Sequence, residues 1–177
     1  MDLLNMRVLV TGSKGFIGKN LKVHLNECPG VIVTTFDRGD DLSRLKELLC
    51  GADCVVHLAG ENRPDEPAAF DEVNAGLTSA MCDEIKTIIE SSGRQIPILL
   101  ASSTQATQDN PYGRSKLAAE EVLQRLAEST ENPCLVFRLP GVFGKWCRPH
   151  YNSVVATFCH QLARDLPIQV NNPDAQV

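Results

Sequence analysis

Five short apolar runs alternate with five longer amphipathic stretches along this chain, and that alternation limits the folds open to it. The runs are MRVLVTG (6–12), VIVTTFD (31–37), CVVHLAG (54–60), IPILLASS (96–103) and PCLVFRLPG (133–141). Between and after them lie GFIGKNLKVHLNE, LSRLKELLC, VNAGLTSAMCDEIKTIIESSG, YGRSKLAAEEVLQRLAES and NSVVATFCHQLARD, each spaced as a helix with one apolar face. Strands apolar on both faces and separated by helices predict an α/β, Rossmann-like, doubly wound parallel sheet with helices on both faces. Gly93 is a predicted helix C-cap, and Asn152 or Ser153 caps the last helix. ENRPDEPAAFDE (61–72) reads as a surface loop leading into a helix.

The chain's 177 residues suffice for one core, and 43% hydrophobic against 22% charged residues describes a soluble globular protein. A net charge of −5 without a Lys/Arg run argues against a nucleic-acid partner. The N-terminus has an early Asp and too short an apolar run for a signal peptide. No stretch approaches the roughly 18 apolar residues of a membrane span, so no membrane partner is expected. The seven cysteines (28, 50, 54, 82, 134, 147 and 159) lack paired CxxC spacing. They are expected to be mostly buried thiols in a reducing cytoplasm, with no metal site.

The first run leads into TGSKGFIG, with Gly12, Gly15 and Gly18 between a strand and a helix. That is the context of a dinucleotide-binding turn: Gly12 for the tight bend, Gly15 for approach of backbone amides to a pyrophosphate, Gly18 for close helix packing. Asp37 ends the second run, where a carboxylate can hold the adenosine ribose, and Arg38 follows at once. The Asp favours NAD and the Arg favours the 2′-phosphate of NADP, so the residues alone leave both cofactors open.

Tyr112 and Lys116, four residues apart on one helix face, follow the hydroxyl-rich end of the fourth run. Pro111 suits the first helical turn, with Asp109 or Asn110 as cap. A free phenol titrates near about 10, and an ammonium beside it should lower that value. Tyr112 would then act as the proton donor in carbonyl reduction, with Ser103 hydrogen-bonding the carbonyl and Ser102 as the fallback. His57 is expected to be a core imidazole.

The glycine spacing, HLAG at 57–60 and the Tyr–Lys pair resemble the extended short-chain dehydrogenase/reductase superfamily. Within it, SSTQATQDNPYGRSK (102–116) and GKWCRPHYNSVVATFCHQLARDLPIQVN (144–171) are similar to bifunctional capsular-polysaccharide-assembling reductases. The resemblance implies NADPH-dependent reduction of the 4-keto group of a UDP-linked 2-acetamido-2,6-dideoxyhexulose, for UDP-N-acetyl-L-fucosamine synthesis. An NAD-dependent sugar-nucleotide epimerase and a non-catalytic nucleotide-binding fragment are the alternatives. Thr104 and Gln105 after Ser103 cannot serve as a dehydratase's carboxylate base.

The resemblance also implies a catalytic Ser103, Tyr112 and Lys116, with Lys116 holding the nicotinamide ribose as well. Cofactor contacts would come from Gly12, Gly15, Phe16, Ile17, Gly18, Asp37, Arg38, Asp41, Leu42, Leu58, Ala59, Gly60, Ala101, Leu139 and Val142. Asn74 would support the sheet. Lys145, Arg148 and Asn152 would face the sugar nucleotide. Residues 1–177 would form one NAD(P)-binding domain, incomplete beside the family's substrate lobe and C-terminal cupin domain, and a homodimer in full-length form.

Overall fold

The computed structural model describes residues 5–62 and 71–170. Five strands form one sheet: β1 (Met6–Thr11), β2 (Val31–Phe36), β3 (Cys54–His57), β4 (Ile98–Ser103) and β5 (Cys134–Leu139). Their order is β2-β1-β3-β4-β5. β1 pairs parallel with β2 and with β3, and Val8 faces Val33 on one side and Cys54 on the other. β3 pairs parallel with β4. Among the described residues the α-helices are α1 (Phe16–Glu27), α2 (Leu42–Gly51), α3 (Leu77–Ser92), α4 (Pro111–Thr130) and α5 (Val154–Leu162).

The first connection, β1 to β2, runs one way along the sheet, and every later one runs the other way. Right-handed crossovers then place α1 on one face and α2, α3 and α4 on the opposite face. The core agrees. One cluster joins Leu9, Val55, Ile98 and Leu100 of the strands to Leu45 and Leu49 of α2, Met81 and Ile85 of α3, and Leu123 and Leu126 of α4. No residue of α1 belongs to it. The winding reverses between β1 and β3, and a crevice opens outside the strand ends at such a point.

Helix ends follow local chemistry. Asp41 accepts the Ser43 amide at 2.8 Å and starts α2. Asn110 accepts the Gly113 amide at 2.8 Å and, with Pro111 in the first turn, starts α4. Gly93 ends α3 at φ +69°. Asp71 and Glu72, expected in the surface loop, belong instead to a π-helical turn (Asp71–Gly76) that runs into α3. Residues 63–70 of that loop lie outside the described residues.

Two expectations are corrected. β5 is not covered on both faces: Leu135, Val136 and Phe137 are exposed, because β5 is the outermost strand and α4 packs on β4. The cysteines are not mostly buried. Only Cys82 is, while Cys28, Cys50 and Cys159 are exposed, because the last two sit on the outer faces of α2 and α5 and Cys28 follows α1.

The chain divides into two compact units, Met1–Arg138 and Leu139–Val177. The second holds α5, started by Ser153, which accepts the Ala156 amide at 3.2 Å. None of α5's side chains is buried.

Candidate nucleotide cleft and catalytic cluster

A cleft of about 860 Å³ opens at the carboxyl ends of β1, β2 and β3. Gly12, Gly15, Asp37, Arg38, Leu42, Leu58, Ala59 and Gly60, among the cofactor contacts expected from the sequence, line it. Gly12 has φ +67°, and a Cβ there would lie 2.7 Å from the Ala59 amide nitrogen, so only glycine fits. Gly15 caps α1 without a side-chain bond, and no acid occupies the first turn. The positive end of α1 is therefore open toward the cleft, which suits a pyrophosphate. Gly18 is buried and packs α1 down rather than lining the cleft, and Phe16 and Ile17 begin that helix.

Two acids play other parts than expected. The Asp37 carboxylate is buried and accepts the Ser13 hydroxyl at 2.8 Å and the Lys14 amide at 3.1 Å. It braces the glycine turn as well as lining the cleft. Asp41 caps α2, so it is Asp40 and Leu42 that line the cleft. Sequence reasoning missed Lys14, Phe36, Gly39, Asp40, Gly76, Leu77 and Ala80 among the lining residues. Their signal was only adjacency to the glycine turn, to β2 and to the start of α3.

Ser103, Tyr112 and Lys116 converge at the end of β4. The Ser103 hydroxyl lies close enough to the Tyr112 phenol to favour its ionised form. Only eight residues separate them, because a 3-10 turn (Thr104–Thr107) folds straight into α4. Gly113 allows this: a Cβ there would lie 2.3 Å from the Gln105 carbonyl oxygen. The Lys116 ammonium sits 5.9 Å from the Tyr112 ring centroid and donates to the Ala101 carbonyl at 3.2 Å. Ala101 thus positions Lys116 through its backbone. A Cβ on Gly60 would lie 2.9 Å from the Lys116 nitrogen, so the amine adjoins the cleft wall.

The expected fall in the phenol's pKa is not found. Burial raises Tyr112, and the Ser103 hydroxyl opposes only part of that. The Lys116 ammonium, 5.9 Å from the ring centroid and tied to the Ala101 carbonyl, does not offset that burial. Burial also brings Lys116 down to about 8, against the pull of Glu120. A phenol that holds its proton at neutral pH is the form a proton donor needs.

His57 is a fully buried core imidazole, as expected, and burial with the nearby Lys116 charge takes it down to about 3. The Thr78 hydroxyl donates to the Asn74 carbonyl at 2.6 Å, so it accepts from His57 Nε2, 3.0 Å away. His57 Nδ1 then accepts from the Thr11 hydroxyl at 2.6 Å, which in turn accepts the Ala59 amide at 3.1 Å. Asn74 does not support the sheet directly. Its amide holds Glu61 at both backbone atoms, at 2.8 and 3.0 Å, and donates to the Ser115 hydroxyl at 2.9 Å. It therefore links the turn after β3 to the helix that bears Tyr112.

The remaining expected residues belong to the second unit. Leu139 ends β5 and Val142 is exposed. The Lys145 ammonium lies 4.5 Å from the Trp146 ring centroid and the Arg148 guanidinium 5.5 Å from that of Tyr151. Asn152 is exposed and directly precedes the α5 cap.

Comparisons with known proteins follow the same lines. The chain is 52% identical over 172 residues to the UDP-2-acetamido-2,6-beta-L-arabino-hexul-4-ose reductase of Pseudomonas aeruginosa, covering 97% of this chain and 45% of that protein. The crystal structure of the capsular polysaccharide assembling protein CapF from Staphylococcus aureus matches with a TM-score of 0.77 at 43% identity, over 96% of this chain and 45% of that one. The chain thus spans about half the length of these relatives. RMD from Pseudomonas aeruginosa, complexed with NADPH, shares the fold with a TM-score of 0.73 at 24% identity, over 90% of this chain and 62% of that one. Residues 8–176 match the NAD dependent epimerase/dehydratase family, and the chain belongs to it.

Proposed function

We propose that this chain carries the cofactor-binding and proton-donating part of an NADPH-dependent reductase. Its substrate would be the 4-keto group of a UDP-linked 2-acetamido-2,6-dideoxyhexulose, in UDP-N-acetyl-L-fucosamine synthesis for capsule or O-antigen. The observation that carries the reading is the cluster of Ser103, Tyr112 and Lys116 at the wall of the glycine-turn cleft. The 52% identical reductase supports the substrate class.

Bound NADPH supplies the hydride. The Tyr112 phenol gives its proton to the carbonyl oxygen, and Ser103 steadies that oxygen by hydrogen bonding. Lys116 holds the adjoining ribose and, as a cation below about pH 8, favours the phenolate left behind. The glycine turn and the start of α1 hold the pyrophosphate. Leu139 and Val142 belong to the cofactor side, and Lys145, Arg148 and Asn152 to the sugar nucleotide, where the two cations suit its diphosphate. The free thiols suit a reducing cytoplasm, and a second copy of the chain is the expected partner.

The test follows NADPH consumption with the 4-keto sugar nucleotide. Tyr112→Phe should lower turnover by at least about a hundredfold and keep NADPH binding. Turnover near that of the parent protein would refute the catalytic assignment.

A further inference from the structure

Arg38 and Glu61 form an ion pair through Nη2 and Oε2. Arg38 follows β2 and Glu61 follows β3, and these strands flank β1. The two loops start two strand spacings apart, roughly 10 Å. The pair therefore reaches across the end of β1, where the glycine turn begins. Arg38 lines the cleft, and so does Gly60, the residue before Glu61. Glu61 is firmly placed: Asn74 holds its backbone at both ends, and its second carboxylate oxygen accepts the Asn62 amide at 3.1 Å. Its side chain is 16% exposed, against 82% for Arg38. The anchored partner is the acid, and the exposed one is the base.

We propose that Glu61 sets the preference between 2′-phosphorylated and unphosphorylated adenine dinucleotides by competing for the Arg38 guanidinium. The proposal rests on the NADPH reading above. Asp37 is the acid that the sequence offers for this discrimination, but its carboxylate is engaged with Ser13 and Lys14. A 2′-phosphate that takes Arg38 must displace Glu61 and then sit near that carboxylate. A free 2′-hydroxyl makes no such demand. An exposed ion pair is worth little in water, so Glu61 tunes the preference by a small factor and does not decide it outright.

Fluorescence titration of NADPH and NADH into the parent protein, Glu61→Gln, Arg38→Gln and the double variant tests this. Glu61→Gln should tighten NADPH about three- to fivefold and alter NADH less than about twofold. With Arg38→Gln already present, the gain should vanish. Glu61→Ala repeats the comparison without an amide that could still accept from Arg38. Equal changes for both nucleotides would overturn the proposal and make the pair a clasp over the cleft. A gain that persists without Arg38 would overturn it too. If the parent protein prefers NADH while Glu61→Gln still shifts it toward NADPH, the proposal stands and the NADPH assignment falls. Failure of the parent protein to bind either nucleotide overturns both.

Discussion

The Ser102 hydroxyl donates to the Glu120 carboxylate, which Arg138 clamps through Nε at 3.0 and 3.1 Å and Nη2 at 2.6 Å. Its neighbour Ser103 meets Tyr112, two turns earlier on the same helix. Adjacent hydroxyls at the end of β4 thus meet different partners, one anchoring α4 through Glu120 and one beside the Tyr112 phenol. Ser103→Ala should lower ketosugar turnover about a hundredfold, with a stability loss of about 1 kcal/mol because its hydroxyl also accepts the Gln105 amide. Ser102→Ala should spare most turnover and destabilise by about 1 kcal/mol, since it removes one hydrogen bond to a charged group that keeps its other partners. Steady-state rates separate the two, and thermal unfolding checks the stability losses. A rate loss confined to Ser102→Ala would reverse the assignment.

Lys116 makes stability depend on alkaline pH. Its folded-state pKa of about 8 lies below the ordinary 10.5 because the amine is buried. Between those values the unfolded chain keeps the proton and the folded one releases it, so this group makes stability rise with pH across that window. From about pH 8 to about pH 9.5 the gain is at most about 2 kcal/mol. Tyr112, raised by burial, acts in the opposite direction, but only above about pH 10, where a free phenol ionises. Urea unfolding of the parent protein and Lys116→Met at both pH values measures the difference. Identical pH slopes would refute a depressed Lys116.

Much of this architecture is legible in the sequence because it depends on local patterning. Apolar runs mark the strands, Pro111 marks the start of α4, and Gly93 marks the end of α3. Where two residues competed for one role, the sequence allowed either and the local geometry of the helix start chose. Asn110 rather than Asp109 caps α4, since Asp109 pairs with Arg114, and Ser153 rather than Asn152 caps α5. The glycine turn and the Ser–Tyr–Lys cluster were legible because their residue types are demanded by close approach or by chemistry.

Partners distant in sequence were not legible. Asp37 carries the expected residue type at the expected place, yet Ser13 and Lys14, more than twenty residues earlier in the chain, take its carboxylate. Glu61 sat unnoticed at the edge of a polar loop. Its pairing with Arg38 follows from strand order, which places the loops after β2 and β3 on either side of β1. The shift of Tyr112 depends on the depth of its burial, which helix periodicity does not reveal.

Arg94 closes α2 from a distance. Its guanidinium donates to the carbonyls of Ala52 at 2.6 Å, Leu49 at 3.0 Å and Cys50 at 2.9 Å. These include final carbonyls of α2, where a cation also meets the negative end of the helix. Arg94→Ala should cost about 1–3 kcal/mol in urea unfolding, and Arg94→Lys should recover only part, because one ammonium cannot reproduce the planar fork. Full recovery by Lys would show that charge alone matters.

His57 makes the fold sensitive to mild acid. Its folded-state pKa of about 3 lies below the ordinary 6.5 because the ring is buried and the Lys116 charge is near; its nitrogens are both committed, one accepting from Thr11 and one donating to Thr78. Protonation would put a second donor against the Thr11 hydroxyl and a charge in the core. Below pH 6.5 the unfolded chain takes up a proton that the folded one refuses, so stability falls with pH through this window. From about pH 7 to about pH 5 the loss from this group is about 2 kcal/mol. The shifted carboxylates Asp40, Asp41 and Glu120 act at lower pH, since their folded-state values lie below the ordinary carboxylate range. His57→Gln offers one donor and one acceptor without a titrating group. It should unfold more readily than the parent protein at about pH 7 and lose this part of the acid sensitivity. A parent protein equally stable at about pH 7 and about pH 5 would refute the neutral, buried assignment.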